Sequence, residues 1–128
     1  MRLLLDTHAF LWLVEGSPNL SGAAQAALAD PANDCYLSAA SVWELAIKVG
    51  NNKLSMSDPL DVFVSKWTSA YQLNPLPVQN AHALAVVALP PHHKDPFDRL
   101  LIAQAMVERM TVVTSDIKLA RYTVPIVW

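Results

Sequence analysis

The sequence predicts an α/β fold: a three-layer α/β/α sandwich with a mostly parallel central sheet of four to five strands. Segments of strand character alternate with segments of helical character along the whole chain, which is typical of parallel sheets. The strand segments are continuous apolar runs, as expected where both faces of a strand are buried. No repeat, linker or low-complexity stretch divides the chain, and we expect residues 1–128 to form a single domain.

The composition supports a real hydrophobic core. Of 128 residues, 53% are hydrophobic and 16% are charged, which excludes a disordered chain. Only three glycines are present, so neither of the common glycine-rich phosphate loops can be written. The net charge of −2 excludes a broadly basic nucleic-acid binder. A nuclease in which metal ions hold the phosphates remains compatible with it.

Short apolar segments predict the strands. The first ends in a carboxylate, and the fourth is rich in β-branched residues. The third is a short extended piece around two prolines. The strand segments are "RLLLD" (2–6), "DCYLS" (34–38), "LNPLPV" (73–78), "TVVTSD" (111–116) and "VPIVW" (124–128).

Capping and terminating residues delimit the predicted helices. The clearest helix covers 95–110, with Asp95 as N-cap and Pro96 as its first residue. A short helix is predicted at 117–122. The remaining helices, with the residues that begin or end them, are 7–16 (Gly16), 20–31 (Ser21, Pro31), 39–54 (Gly50, Asn51), 58–72 (Pro59) and 79–91 (two prolines).

Four acidic residues are predicted to meet at one edge of the sheet. Asp6 and Asp116 end predicted strands, and ligands of open parallel sheets bind outside the carboxyl ends of strands. Glu44 lies about one turn into the helix that follows "DCYLS", and Asp98 lies in the first turn of the helix that leads into "TVVT". Such a group of like charges is costly unless a cation offsets it. Oxygen ligands favour Mg²⁺ or Mn²⁺.

Each carboxylate also has a purely structural interpretation. Asp6 could cap the helix that begins near Thr7, and Asp116 could cap the following short helix. Glu44 could pair with Lys48, four residues further along its helix.

Asp95 and Asp98 have the spacing of helix-capping residues, and only one of them is needed as a cap. Because Asp95 precedes Pro96, it is the better N-cap. We therefore expect Asp95 to cap the helix and Asp98 to point towards a metal.

Four segments, "LLLDTHAFLW", "SAASVWELAIKVG", "HHKDPFDRLLIAQA" and "TVVTSD", together resemble the signature segments of PIN domains, and especially of the VapC-type toxins of bacterial toxin–antitoxin pairs. The resemblance extends from Leu3 to the closing "VPIVW". It implies a Mg²⁺- or Mn²⁺-dependent ribonuclease, usually a homodimer. It also implies a small antitoxin partner whose tail enters the active site.

The resemblance assigns roles to individual residues. The family's four acidic positions fall on Asp6, Glu44, Asp98 and Asp116, which would be catalytic and metal-binding. Asp6 and Asp98 would be direct ligands, whereas Glu44 and Asp116 would bind a second metal or hold water. The residues expected to face the RNA substrate, with Arg99 offsetting charge in the transition state, are Lys48, Arg99, Thr114 and Ser115.

Basic residues near the predicted edge are few, namely Lys48, Lys94, Arg99 and Lys118. This departure from the more basic surface of many such nucleases favours a narrow substrate, or recognition by shape and by partner chains.

Histidines and tryptophans have mainly structural interpretations. His8 could contact substrate but is more typical of a core histidine. Adjacent loop residues such as His92 and His93 rarely bind one ion together, so no zinc site is expected. The four tryptophans, Trp12, Trp43, Trp67 and Trp128, could stack on bases. For Trp12 and Trp43, which lie in apolar helices, we favour packing in the core or at an interface.

The expected location is the cytoplasm. The single cysteine, Cys35, makes no intrachain disulfide, and Asp6, His8 and Glu15 interrupt the apolar N-terminus. No apolar run reaches the roughly 20 residues needed to cross a bilayer.

Two alternatives to the nuclease stay open. A non-catalytic module that binds RNA or a protein partner would suit the low basic content. A haloacid-dehalogenase-type phosphatase would use Asp6 as nucleophile, but it requires a second aspartate where this chain has His8.

Overall fold

The computed structural model describes all residues from Met1 to Trp128, and it contains one parallel sheet of five strands with six α-helices. Strand order is β3-β2-β1-β4-β5, and every neighbouring pair is parallel. The predicted α/β fold is confirmed. The elements are β1 Arg2–Leu5, α1 Thr7–Glu15, α2 Gly22–Ala29, β2 Asp34–Ser38, α3 Ala39–Gly50, α4 Leu60–Ala70, β3 Asn74–Leu76, α5 Asn80–Ala85, α6 Pro96–Glu108, β4 Thr111–Val113 and β5 Ile126–Val127.

Helices cover both faces of the sheet and create two hydrophobic cores. In β1, Leu4 points into the core shared with α6, whereas Leu3 and Leu5 point into the core shared with α1. Neighbouring strand residues therefore enter opposite cores, and all three leucines are fully buried. This burial explains why the strands are apolar at every position.

The topology brings distant residues to one end of the sheet. The central strand β1 pairs with both β2 and β4, so the carboxyl ends of these three strands are neighbours. The backbone N–H of Asp6 extends this edge by donating to the carbonyl of Val113. α1 and α3 start directly after β1 and β2, and α6 starts near the same edge because it runs back to β4.

Two predicted helices differ from the structure. Residues 117–122 contain only a 3₁₀ turn, Leu119–Arg121, because the Asp116 side chain accepts from the backbone N–H of Lys118 and closes a local turn. The helix predicted at 79–91 ends at Ala85 and tightens into a 3₁₀ turn, Val86–Ala88, ahead of two prolines. None of the helices combines the length and the apolar character that crossing a bilayer would require.

Candidate active site

A small cavity of about 150 Å³ opens at the carboxyl edge of the sheet. Its lining contains no hydrophobic residue. All four acidic residues singled out by the sequence line it, so chain segments more than 100 residues apart supply one group of carboxylates. The nine lining residues are Asp6, Thr7, His8, Glu44, Lys48, Asp95, Asp98, Ser115 and Asp116.

Asp6 is both a helix cap and a cavity residue. Its Oδ1 accepts from the backbone N–H of Ala9 at 2.7 Å, which caps α1. Its Oδ2 accepts a short hydrogen bond from the hydroxyl of Thr114. Capping does not exclude Asp6 as a metal ligand, because each carboxylate oxygen keeps a second lone pair.

Glu44 is held by two residues of the cavity wall. Oε1 accepts from the hydroxyl of Thr7 at 2.6 Å, and Oε2 lies 3.1 Å from Nζ of Lys48. The ion pair that the i,i+4 spacing of Glu44 and Lys48 allows is thus present. Lys48 is the one lysine or arginine that lines the cavity, and Glu44 already engages its charge.

Asp95 caps α6 as the sequence predicts, whereas the role of Asp98 at a metal stays a prediction. Asp95 is the N-cap, and its Oδ1 accepts from the backbone N–H groups of Phe97 at 2.8 Å and Asp98 at 3.3 Å. Asp98 makes no cap bond, and its Oδ2 lies 3.0 Å from Nε2 of His93.

His93 is a site residue that the sequence analysis missed. Its Nε2 lies between Oδ2 of Asp98, at 3.0 Å, and Oδ2 of Asp116, at 3.2 Å. Its Nδ1 accepts from the backbone N–H of Asp95 at 3.1 Å, so in the neutral ring Nε2 carries the hydrogen. We therefore interpret His93 as a donor to the two carboxylates. The sequence feature that could have identified His93 is its position two residues before Asp95, the N-cap of α6.

The other histidine of the "HH" pair has a different environment. His92 is exposed and packs against the ring of Tyr122, with centroids 5.1 Å apart. The two histidines therefore do not form a metal pair.

Thr114 supports two carboxylate residues at once. Besides donating to Asp6, its oxygen accepts from the backbone N–H of Asp116 at 3.0 Å. Because the side chain is buried, it positions the carboxylates, and the expected contact with RNA does not fit. Ser115 is exposed and lines the cavity.

Arg99 does not line the cavity, contrary to its expected place at the scissile phosphate. Its Nη1 donates to the carbonyls of Pro90 and His93 and to the hydroxyl of Tyr122. Its Nη2 donates to the carbonyls of Val86 and Leu89. The guanidinium thus ties together the loop that carries His93, and these bonds leave it no direct role at a phosphate.

Burial and mutual repulsion raise carboxylate pKa values in the cavity. Desolvation, followed by the charge of Asp95, raises the pKa of Asp98 to about 7, with smaller contributions from Glu44 and Asp6, while His93 acts in the opposite direction. Burial likewise raises the pKa of Asp6, against the stabilising hydrogen bonds from Thr114 and Ala9. Burial is the main cause of both shifts in pKa, and repulsion between carboxylates adds to it.

These donors fit a divalent cation of the Mg²⁺ or Mn²⁺ type. The site offers carboxylate oxygens from several chain segments, which are the ligands such ions prefer. A cation would also stabilise the charged form of Asp98, which burial and then the charge of Asp95 disfavour. Atoms that could bind a metal lie within 4.8 Å of one another in His93, Asp98 and Asp116. In this cluster, the contact with the backbone of Asp95 orients His93 as a hydrogen-bond donor to the carboxylates.

Aromatic rings lie beside the acidic cavity. His8 is exposed, stacks on Trp12 with centroids 5.7 Å apart, and Trp12 in turn contacts Trp128 at 5.6 Å. Trp12 is packed as predicted, and Trp43 packs against Phe97 although 60% of its surface is exposed. Trp43 belongs to neither of the two hydrophobic cores.

Comparison with solved structures identifies the same fold in bacterial complexes. VapBC2 from Rickettsia felis, bound to a DNA fragment from its promoter, has a TM-score of 0.72 at 18% identity, covering 98% of this chain and 97% of that one. A toxin–antitoxin complex from Klebsiella pneumoniae has a TM-score of 0.65 at 22% sequence identity, covering 98% of this chain and 96% of that one. FitAcB from Neisseria gonorrhoeae has a TM-score of 0.66 at 21% sequence identity, covering 97% of this chain and 95% of that one.

The family assignment rests on sequence. No curated protein matches the chain. The family model described as PIN domain matches residues 3–125, which include every acidic residue of the cavity. The chain therefore belongs to the PIN domain family.

Proposed function

We propose that this protein is a Mg²⁺- or Mn²⁺-dependent endoribonuclease and the toxin of a bacterial toxin–antitoxin pair, acting in the cytoplasm. The observation that carries the proposal is the convergence of Asp6, Glu44, Asp98 and Asp116 on one polar cavity. The raised pKa of Asp98 supports it, because a half-buried carboxyl with a strongly shifted pKa beside other carboxylates is typical of functional sites. Membership of the PIN family makes nuclease chemistry the natural use of such a site.

Asp6 and Asp98 are the proposed direct ligands, and Glu44 and Asp116 bind a second ion or orient water. A bound divalent cation would supply a water of lowered pKa and would polarise the phosphate. Thr114 keeps Asp6 in place, and Thr7 and Lys48 keep Glu44 in place. His93 orients Asp98 and Asp116 through its Nε2–H. No serine, cysteine or histidine nucleophile is required.

The toxin assignment is supported by the kind of complexes that share the fold. Several of them pair a PIN-like chain with an antitoxin, and the Rickettsia felis complex is bound to promoter DNA. A cognate antitoxin is therefore the proposed protein partner of this chain. The homodimer that the family resemblance implies stays a prediction.

The test is a calorimetric titration of Mg²⁺ and Mn²⁺ into the wild type, Asp98→Asn and Asp95→Asn, with cleavage of structured RNA assayed in the same samples. Asp95→Asn is a matched control because asparagine is also a good N-cap and the position is three residues away. We expect Asp98→Asn to lose metal binding and at least about 100-fold in cleavage rate. Asp95→Asn should keep most of both.

Two results would contradict the proposal. A wild type that binds no divalent cation would make the carboxylates caps or contacts for a partner. A wild type that binds metal and RNA without cleaving it would favour the non-catalytic alternative, for which the scarcity of basic residues is the supporting observation.

A further inference from the structure

Trp43 is exposed at a place where its sequence neighbours build the acidic cavity. The next residue, Glu44, lines the cavity. The ring of Trp43 contacts Phe97, with centroids 5.1 Å apart and planes at 71°, and Phe97 immediately precedes Asp98. The ring pair thus bridges the beginnings of α3 and α6 beside two of the proposed metal-binding carboxylates.

The contact with Phe97 leaves much of the indole in solvent. A near-perpendicular aromatic contact holds the ring in a defined orientation, and 60% of the residue surface stays accessible. A large exposed aromatic of this kind costs solubility and contributes little to the core. Trp43 does not itself line the cavity, but its neighbour Glu44 does, which places the ring within reach of a molecule larger than the cavity.

The charge of the cavity limits how RNA could be held there. Proteins usually hold nucleic acid through lysine and arginine contacts to phosphate. Here Lys48 is paired with Glu44, and Arg99 is bonded to loop carbonyls. Lys94 and Lys118 are exposed and are the basic residues near this edge that remain for phosphate. With so few cations and a net charge of −2, base stacking is a contribution to binding that the protein can add.

We propose that Trp43, supported by Phe97, stacks on a nucleobase next to the phosphate that is cleaved. Because both faces of a base are covered inside a duplex, the substrate must present an unpaired nucleotide at this position. This inference rests on the proposed ribonuclease function and specifies its substrate. It makes Trp43 a substrate-binding residue and gives it no part in metal binding.

The first arm of the test measures stacking without cleavage. Single-stranded oligoadenylate is titrated into Asp98→Asn and into the double variant Asp98→Asn/Trp43→Phe. The difference between the two fluorescence signals reports on Trp43, although three other tryptophans are present. We expect the oligonucleotide to quench the Trp43 signal, and a duplex of adenylate and uridylate strands to leave it unchanged. Absence of quenching by the single strand would overturn the proposal even if the wild type cleaves RNA.

The second arm measures coupling during cleavage. An RNA that the wild type cleaves at one position is remade with single abasic nucleotides on either side of that position. In the wild type, one abasic substitution should raise KM by about 10- to 100-fold. Trp43→Leu should have the same raised KM for the intact RNA, and the abasic substitution should raise the KM of this variant little further. Trp43→Phe should fall between the two.

Leu84→Ala is the matched control, because Leu84 is 71% exposed on α5 and does not line the cavity. It should leave KM unchanged. If Trp43→Leu leaves KM unchanged but alters the oligomeric state in light scattering, Trp43 belongs to a protein interface and the proposal is wrong. Ile47, 40% exposed and one turn further along α3, would extend such an interface. If the wild type cleaves no RNA while the first arm shows quenching, the nuclease proposal fails and the stacking site stands.

Discussion

The imidazole of His93 and the carboxylate of Asp98 are joined by a contact of 3.0 Å between Nε2 and Oδ2. The orientation of the ring is fixed, because its Nδ1 accepts a hydrogen bond from the backbone N–H of Asp95 and only Nε2 faces the carboxylate. A ligating nitrogen must offer a lone pair, whereas this Nε2 carries the hydrogen. The geometry therefore makes His93 a residue that orients the acidic group without coordinating a cation.

This interpretation predicts the tautomer of His93. In ¹H–¹⁵N spectra of the neutral ring, we expect Nδ1 to be unprotonated and Nε2 to carry the hydrogen, both before and after Mg²⁺ is added. Metal coordination by Nε2 would instead require the hydrogen to move to Nδ1, which would break the bond to Asp95. His93→Ala should lower metal affinity or cleavage by about 10- to 100-fold, as is usual for residues that orient ligands. His92→Ala is the control and should be close to the wild type.

The raised pKa of Asp98 predicts how stability depends on pH without metal. Between the ordinary value of 3.8 and the folded value of about 7, the folded chain binds a proton that the unfolded chain does not. The free energy of unfolding therefore falls as the pH rises through this window. The side chain introduced by Asp98→Asn cannot titrate. We therefore expect the Tm of this variant, relative to that of the wild type, to increase by about 3–8 °C when the pH is raised from 5 to 8.

Thermal unfolding in a chelator checks this prediction. Saturating Mn²⁺ should reverse the order of the two proteins at pH 8, because only the wild type gains binding energy. A constant difference in Tm between pH 5 and pH 8 would mean that the pKa of Asp98 is not raised in the folded chain.

Thr114→Val tests the buried support of the carboxylates. Valine has nearly the shape of threonine but cannot donate to Asp6 or accept from the backbone of Asp116. We expect a loss of about 1–3 kcal/mol in the free energy of unfolding at neutral pH, measured by urea denaturation. The pKa of Asp6 should rise further, since that carboxylate loses a donor. Ser115→Ala, at an exposed position, should change stability little, and equal effects of the two substitutions would contradict the proposed role of Thr114.

Arg99→Lys separates a loop-supporting role from a role at the phosphate. A single ammonium group cannot replace the planar fork that reaches carbonyls on two sides of the loop. We expect about 1–3 kcal/mol of lost stability and faster amide hydrogen exchange in residues 86–93. KM for RNA should change little. A raised KM with unchanged amide hydrogen exchange in residues 86–93 would instead support a contact between Arg99 and phosphate. Arg121→Lys, at an exposed position, is the control.

The main features of the fold could be predicted because they depend on local patterns. Continuous apolar strands and residues such as Asp95 and Gly16 are visible in sequence, and the structure has Asp95 as an N-cap and Gly16 in the left-handed conformation that ends α1. The convergence of the acidic residues followed from strand direction alone. The helix predicted at 117–122 failed because the side chain of Asp116 forms a turn that competes with it.

The sequence by itself determined the fold class, the edge where the carboxylates meet and the choice of Asp95 as the cap of α6. These follow from periodicity, capping and the rule that parallel strands end together. Only the tertiary structure decided that His93 joins Asp98 to Asp116, that Arg99 turns away to the loop and that Trp43 stays exposed. Such side-chain contacts link residues from separate segments, and their partners are set by how the segments pack, which no local pattern records.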